Sequence, residues 1–497
     1  MKFMKIQIEL PKKVKVILET LYQGGYEGYA VGGCVRDALL GRIPYDWDIT
    51  TSARPLETKA LFERTIDTGI QHGTVTVMID HEGFEVTTYR IDGEYTDSRH
   101  PKEVSFTSNL VEDLKRRDFT INAMAYNETR GLVDEFEGLR DLEEGKIRCV
   151  GEPEERFGED ALRILRAVRF SAQLGFSIEE KTKEAVRKLA PTLKAISAER
   201  IQTELVKLLL SPNPQKMDEV VKLGIAKVVI PELEEALERR RVFDRRKVDD
   251  RSSSVFDLNR SECGIRENDV SKWSSTPDLQ CDIIFLIPCF CPMEKSIRLA
   301  AILQVLGDNG EESAKKTKKV LKRLKFDNDT IEKTTTLVRF HDLRLKPEKA
   351  LIRKAVYEIG EERFPMLLSL WRAEQEAFKE FQNSLEMRQI HPESEEAKIG
   401  KEIQEEQKET QGQQSLQLSD RYMREEKLRQ IENLYDEIRK DGDCLSLKTL
   451  AVTGRDLIDA GMKPGKELGE HLTKLLFDVL EHPEHNTKEY LLYSVFS

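Results

Sequence analysis

The chain lacks any long apolar run. A membrane-crossing helix needs roughly 20 consecutive apolar residues, and the longest stretch here, IIFLIPCFCP, falls well short. The opening MKFMKIQIELPKK holds no apolar signal core, so the expected setting is the cytoplasm, without a membrane partner. Cysteine is sparse: seven, at positions 34, 149, 263, 281, 289, 291 and 444. An odd count without repeated spacing argues against a disulfide framework. Cys289 and Cys291 have no second pair at zinc-finger spacing, so the cysteines read as small buried hydrophobes. Excess positive charge is also missing, with 79 Lys and Arg against 90 Asp and Glu and a net charge of −11. That balance argues against wholesale coating of nucleic acid and is compatible with a local basic track.

What is present is length and charge: 497 residues, 34% of them charged, enough for roughly three or four domains. Up to about residue 145 the chain mixes helices with short runs of Val, Thr and aromatics: GYAVGG, DWDITT, GTVTVMI, FEVTTYRI and EVSFT. Gly, Asp or Pro bounds each run, which predicts strands. Beyond about residue 150, FGEDALRILRAVRFSAQLG, SAERIQTELVKLLL, ESAKKTKKVLKRLKF and ELGEHLTKLLFDVLEH carry apolar residues at helical spacing. Two stretches break this pattern. Residues 238–280 are aperiodic and read as an insertion. Residues 393–420 are Glu/Gln-rich with almost no apolar anchor, as in a linker or a solvated helix.

The segment GGCVRDALLGRIPYDWDIT, residues 32–50, concentrates the chemistry. On a strand, Asp46 and Asp48 share one face while Trp47 and Ile49 point into the core. Two adjacent carboxylates repel each other and offer hard oxygen ligands, which suits Mg²⁺. Metal ions shared with a nucleoside triphosphate lower a hydroxyl's pKa and stabilise in-line displacement at phosphorus. Glu85, between Phe84 and Val86, is a candidate third carboxylate on a neighbouring strand. Gly32 and Gly33 permit close backbone approach before a helix, and Arg36 adds a phosphate-binding fork.

Gly-Gly, a spacer of 12 residues and then Asp46-Trp47-Asp48 resembles the nucleotidyltransferase superfamily of DNA polymerase β. The ordered series GGCVRDALLG, DWDITTSARP, HGTVTV, EVTTYR, EDLKRRDFTINAMA and EDALRILRAVRF resembles, more narrowly, the class II CCA-adding enzymes. The likeness is strong from about residue 21 to 212, weak through 235–300, and returns in LAVTGRDLIDAGMKPGKELGEHLTKLLFDVLEHPEHN. It implies an α+β chain: a small antiparallel nucleotidyltransferase head sheet with helices (1–148), then all-helical domains. These are a base-recognition neck (149–212), a body (213–385), the Glu/Gln-rich linker (386–425) and a tRNA-binding tail (426–497). The implied substrates are CTP, ATP and the 3′ end of tRNA, held at acceptor stem and elbow, with Mg²⁺ as cofactor and no DNA partner.

The resemblance also assigns residues. In RRDFTIN, Arg117 and Asp118 would hold phosphate and sugar hydroxyls, braced by Asn122, with Arg116 as a salt-bridging neighbour. In EDALRILRAVRF, Asp160 and Arg163 would read the base; being three apart, they are expected to share a helix face. Cytosine and adenine both present an amino donor beside an unprotonated ring nitrogen, so a carboxylate and a guanidinium accept both. Uracil and guanine present the reverse order and leave both groups unpaired, at about 1–3 kcal/mol each. Arg166 and Arg169 would contact nucleotide or RNA phosphate. IDGEYTDSRHPK, residues 91–102, resembles the flexible loop needed to switch from CTP to ATP, which favours addition of the whole CCA. The rivals are a bacterial poly(A) polymerase, a CC- or A-adding partial enzyme, and an RNA-binding regulator with a relic site.

Elsewhere the family likeness thins. Where some relatives carry a His-Asp phosphohydrolase pair, this chain has Gln304 and Val305 in AAILQVLGD. His341-Asp342 stands without a histidine cluster and His72 needs no catalytic role, so both are expected to be structural. KKTKKVLKRLKF is either a phosphate-following track or a solvated helix.

Overall fold

The computed structural model describes residues 3–4, 6–93, 104–240, 279–390 and 425–496. Both irregular stretches, apart from the ends of the first, and most of the 91–102 loop lie outside the described residues. Two compact units divide the chain, Met1–Pro231 and Glu232–Ser497.

The first unit is built on an eight-stranded sheet in the order β1-β10-β9-β2-β3-β6-β5-β4. Its strands are β1 (Phe3–Met4), β2 (Gly28–Val31), β3 (Ile49–Thr51), β4 (Thr65–Gly69), β5 (Thr74–Ile79) and β6 (Glu82–Thr88). A separate antiparallel pair, β7 (Arg90–Asp92) and β8 (Val104–Phe106), precedes β9 (Met124–Asn127) and β10 (Gly131–Asp134). Every pairing in the large sheet is antiparallel except β3 with β6. The expected runs became strands; β1, β4, β9 and β10 carried no strand expectation. β9 is hidden in INAMAYN, where Met124, Ala125 and Tyr126 are all buried. A strand covered on both faces loses the alternation that betrays one.

Helices α1 (Lys12–Gln23), α2 (Gly33–Leu39), α3 (Pro55–Leu61), α4 (Leu110–Lys115) and α5 (Gly138–Glu143) accompany the sheet. Tyr29, Val31, Tyr89, Leu110, Leu114, Ala125 and Val133 form one buried cluster joining sheet to α4. Full burial stabilises each large member by about 1.5–3 kcal/mol. The expected long helix over FGEDALRILRAVRFSAQLG is in fact two, α6 (Pro153–Glu159) and α7 (Leu162–Leu174), broken at Asp160 and Ala161. Helices α8 (Glu180–Leu189) and α9 (Ala198–Leu209) follow. A two-residue parallel pair, Lys146–Ile147 with Ser177–Ile178, is the exception to the helical reading beyond residue 150.

The second unit is helical throughout its described residues. Side-chain caps start several helices: Asn309, Asp327 and Thr453 accept hydrogen bonds from Glu312, Thr330 and Asp456 backbone N–H groups, each worth about 1 kcal/mol. Buried Arg353 donates to the carbonyls of Leu480 (2.7 Å) and Glu481 and to Asp443 Oδ2 (2.8 Å). It thereby ties the helix Lys349–Ile359 to the end of the helix Lys466–Glu481. His341 Nδ1 lies 2.7 Å from the Val338 carbonyl, and Asp342 accepts from the Gly310 N–H. No described helix is long and apolar enough to cross a membrane.

Gly138 shows how tightly the first unit packs behind its site. Asp134 at the end of β10 accepts from the N–H groups of Gly138 and Leu139, docking α5 against the turn Thr120–Asn122. A Cβ on Gly138 would stand 2.3 Å from the Thr120 carbonyl oxygen, which itself accepts from Ala123 N. Gly138→Ala is expected to lower stability by about 1–3 kcal/mol, seen as an earlier urea-unfolding midpoint of the full chain.

Candidate active site

β2 lies at the centre of the sheet and is buried along its whole length. At its end Gly32 takes φ +83° and turns the chain into α2. A Cβ there would meet Arg117 Nη1 at 2.8 Å, so glycine is required both for the left-handed turn and to seat this guanidinium. Arg117 Nε is buried without a hydrogen-bond partner. Its terminal nitrogen stands 3.6 Å from Asp113 Oδ2.

Asp46 and Asp48 do not lie on a strand. β3 begins at Ile49, and the acidic pair occupies the extended approach to it. Trp47 is half-buried rather than in the core, whereas Ile49 is buried. The Asp48 carbonyl nevertheless accepts from Val31 N at 3.0 Å, so the sheet ladder already holds its backbone. Asp48 stands one residue ahead of the register pair Ile49–Val86 in the parallel pairing of β3 and β6. That brings it beside Glu85, which is exposed between buried Phe84 and Val86. Withdrawal from water pushes the Asp48 carboxyl up to about 6; Asp46 and Glu85 push the same way, and Arg117 opposes them. Three carboxylates gathered opposite a single arginine are a set of hard oxygen ligands that a divalent cation would fit. The carboxylates do not already converge as a three-ligand cage, so substrate oxygens would have to complete the shell.

Behind the acidic pair lies a buried polar chain. Asn122 accepts from Arg36 Nη1 at 2.6 Å and donates to Asp118 at 3.3 Å. Asp118 accepts from Arg166 Nε at 2.7 Å and from Phe119 N at 2.9 Å. Burial alone would raise the Asp118 pKa, but Arg166 outweighs it and holds the group at about 2. Arg36 also forks onto Asp37, at 2.9 and 3.0 Å. The guanidinium groups of Arg36, Arg166 and Arg169 surround the Phe170 ring at 5.3, 5.3 and 3.6 Å, within cation–π range. Asn122 thus braces Arg36 and Asp118 rather than Arg117.

The residues expected to read the base are placed differently. Asp160 and Arg163 do not share a helix face, because Asp160 sits in the break before α7. Its Oδ1 accepts from Leu162 N (3.0 Å) and its Oδ2 from Arg200 (2.8 Å). Arg163 is turned to Glu159 Oε2 at 2.5 Å and to the carbonyls of Arg156 and Arg116. Arg169 pairs with Glu204 on α9 at 2.5 Å and with Gln173, so it faces the helical core. His72 is exposed, and its carbonyl accepts from Arg90.

Three organising residues escaped the sequence reading. Asp113, fully buried, collects Arg116 (2.8 Å), Arg117 and the Thr50 hydroxyl (3.1 Å). Burial opposes its ionisation, yet the two arginines hold its pKa below the usual value. Its position three and four residues before them in EDLKRR was the available signal. Arg200 and Phe170 had none, since their partners are distant in the chain or are rings and charges of ordinary helical spacing.

Residues 28–148 match the family described as "Poly A polymerase head domain", and 175–237 that described as "Probable RNA and SrmB- binding site of polymerase A". Residues 411–495 match domain 2 of tRNA nucleotidyltransferases. The CCA-adding enzyme of Lactiplantibacillus plantarum is 52% identical over 200 residues, covering 40% of this chain and 49% of that enzyme. That of Leuconostoc mesenteroides is 54% identical over 194 residues, covering 39% and 48%. The chain thus spans about half the length of the curated relatives it matches. The Bacillus stearothermophilus CCA-adding enzyme in complex with CTP superposes over 98% of both chains, with TM-score 0.65 and 26% identity. The Thermotoga maritima CCA-adding enzyme complexed with tRNA shares the fold, with TM-score 0.55, 20% identity and 99% of both chains covered.

A carboxyl raised by its surroundings makes the folded state less stable wherever it must ionise. For Asp48 that penalty is absent below the ordinary value of 3.8 and grows until about 6; above that it is constant. In metal-free buffer at pH 8, Asp48→Asn should therefore raise the thermal-unfolding midpoint, and the gain should vanish below about pH 4. A midpoint unchanged or lowered at pH 8 would contradict the charge crowding.

Proposed function

We propose that this member of the tRNA nucleotidyltransferase and poly(A) polymerase family is a cytoplasmic enzyme that builds or repairs the CCA end of tRNA. Without a nucleic-acid template, it transfers CMP and then AMP from CTP and ATP to the tRNA 3′-hydroxyl and releases pyrophosphate. The observation that carries the reading is the crowded Asp46–Asp48–Glu85 face beside the Gly32–Arg117 seat, at the C-terminal end of a central strand.

Asp46 and Asp48 would hold Mg²⁺, with Glu85 supporting them. When bound, the cation neutralises phosphate charge and eases deprotonation of the attacking hydroxyl. Gly32 and Gly33 let the triphosphate approach the backbone, and the partly exposed Arg117 side chain would bind it. Arg36, held in place by Asn122 and Asp37, would add a second guanidinium for the phosphates. Asp118 orients the ribose side through Arg166, while Arg169 supports α7 from within.

Base reading is assigned to Asp160 and Arg163. In the nucleotide-free arrangement their charges are held by Arg200 and Glu159. Binding of cytosine or adenine would exchange these partners for the base edge. The helical region after the head would serve as neck and body, and 426–497 as the tRNA-binding tail.

The test is extension of tRNA lacking its CCA end, read at single-nucleotide resolution. Two added residues with CTP alone and three with CTP and ATP are expected. Arrest at two with both nucleotides would make it a CC-adding enzyme; long A tails would make it a poly(A) polymerase. Asp46→Ala should lose at least about 10³-fold in turnover with an unchanged circular-dichroism spectrum, and substantial residual activity would sink the metal assignment.

A further inference from the structure

The C-terminal region gathers a second set of potential metal-ligating side chains, remote in sequence from the acidic pair of the head. The helix Lys466–Glu481 ends before His482, and a tight turn, Pro483–His485, leads to the helix Lys488–Phe496. One ligand atom from each of His482, Glu484 and His485 lies within 4.8 Å of the others. Among the described residues, this is the one group of three or more His, Cys, Asp or Glu side chains so arranged. His482 Nδ1 stands 3.6 Å from Glu484 Oε1, and the two imidazole centroids are 4.8 Å apart.

His485 is held from two sides. Its Nδ1 is 2.8 Å from Asp478 Oδ2. Its ring stacks on Tyr490, with centroids 4.0 Å apart. An imidazole whose Nδ1–H donates to a carboxylate has its tautomer set, with the lone pair on Nε2. The turn is also anchored beneath, because Val479, Leu480 and Leu491 on the flanking helices belong to one buried cluster.

From this geometry we propose a binding site for a borderline divalent cation of the Zn²⁺ class, ligated by His482, Glu484 and His485, with Asp478 positioning His485. Two imidazoles and one carboxylate are the ligands such a cation selects, whereas Mg²⁺ prefers all-oxygen shells. Zn–N and Zn–O bonds of about 2.0–2.2 Å in tetrahedral geometry place ligand atoms about 3.4 Å apart. The cluster must therefore contract, and the exposed side chains of His482 and Glu484 can do so by rotation. Water would complete the shell. The cation would clip the turn between the last two helices.

The experiment uses metal-stripped full-length protein carrying Asp46→Ala and Asp48→Ala, so that a cation at the head cannot be mistaken for one at the tail. Titration with Co²⁺ should give the strong visible absorption of four-coordinate cobalt at a single equivalent, reversed by Zn²⁺ and untouched by excess Mg²⁺. His482→Ala and His485→Ala should each weaken binding at least about tenfold, and Asp478→Asn by about 10–100-fold. Zn²⁺ should raise the thermal midpoint of the parent and not that of the His482→Ala protein. Glu484→Gln, at an exposed position, keeps the test valid if a histidine variant fails to fold, and it should also weaken binding. Absence of visible absorption, or Co²⁺ affinity unchanged in the His482→Ala and Glu484→Gln proteins, would overturn the proposal.

Discussion

The ion pair between Asp118 and Arg166 is the contact through which the sheet and helix α7 share one polar interior. A carboxylate only 8% exposed is tolerable as an anion only where cations and donors face it. Arg166 supplies the charge from α7, while Asn122 and the Phe119 N–H supply hydrogen bonds from the turn after α4. Because Asn122 also receives Arg36, a guanidinium beside the Gly-Gly turn is coupled to the start of the helical region. Phe170 adds a second coupling, since its ring is contacted by Arg36, Arg166 and Arg169 together and meets Phe119 edge-on at 5.7 Å.

Three aspartates within this unit show how environment divides labour. Asp113 and Asp118 are deeply buried, yet adjacent arginines depress their pKa values. Asp48 is more open at its surface, yet its pKa is raised, first by withdrawal of its carboxyl from water and then by two neighbouring carboxylates. The first two have partners supplied by the chain. The third lacks matching positive charge, which is the condition expected of a group kept for an incoming cation. Stability and chemistry are thus separated by where the chain places its positive charge.

The exposed face of Glu85, the glycine turn and the helical character beyond residue 150 were legible in the sequence, whereas the acidic pair was expected on a strand and lies just ahead of one. Each rests on local spacing: period-2 alternation puts Glu85 opposite Phe84 and Val86, and Gly32 announces its own backbone freedom. The strands β9 and β10 were not legible, because neither alternates: Met124–Tyr126 and Leu132–Asp134 are each buried in succession. The break at Asp160 was hidden too, since EDALRILRAVRF keeps an unbroken helical period across it.

Sequence by itself determined which residue types meet the chemistry: carboxylates near a glycine turn, arginines in helical rows, and the order of segments shared with a known family. It did so because backbone periodicity and local conformational preference act over a few residues. Tertiary structure alone decided which charges are already spent. Arg163 on Glu159, Asp160 on Arg200 and Arg169 on Glu204 are choices among several carboxylates within reach of long, flexible side chains. Only the packing of α6, α7 and α9 against one another selects among them, because burial makes an unpaired charge costly enough to settle its partner.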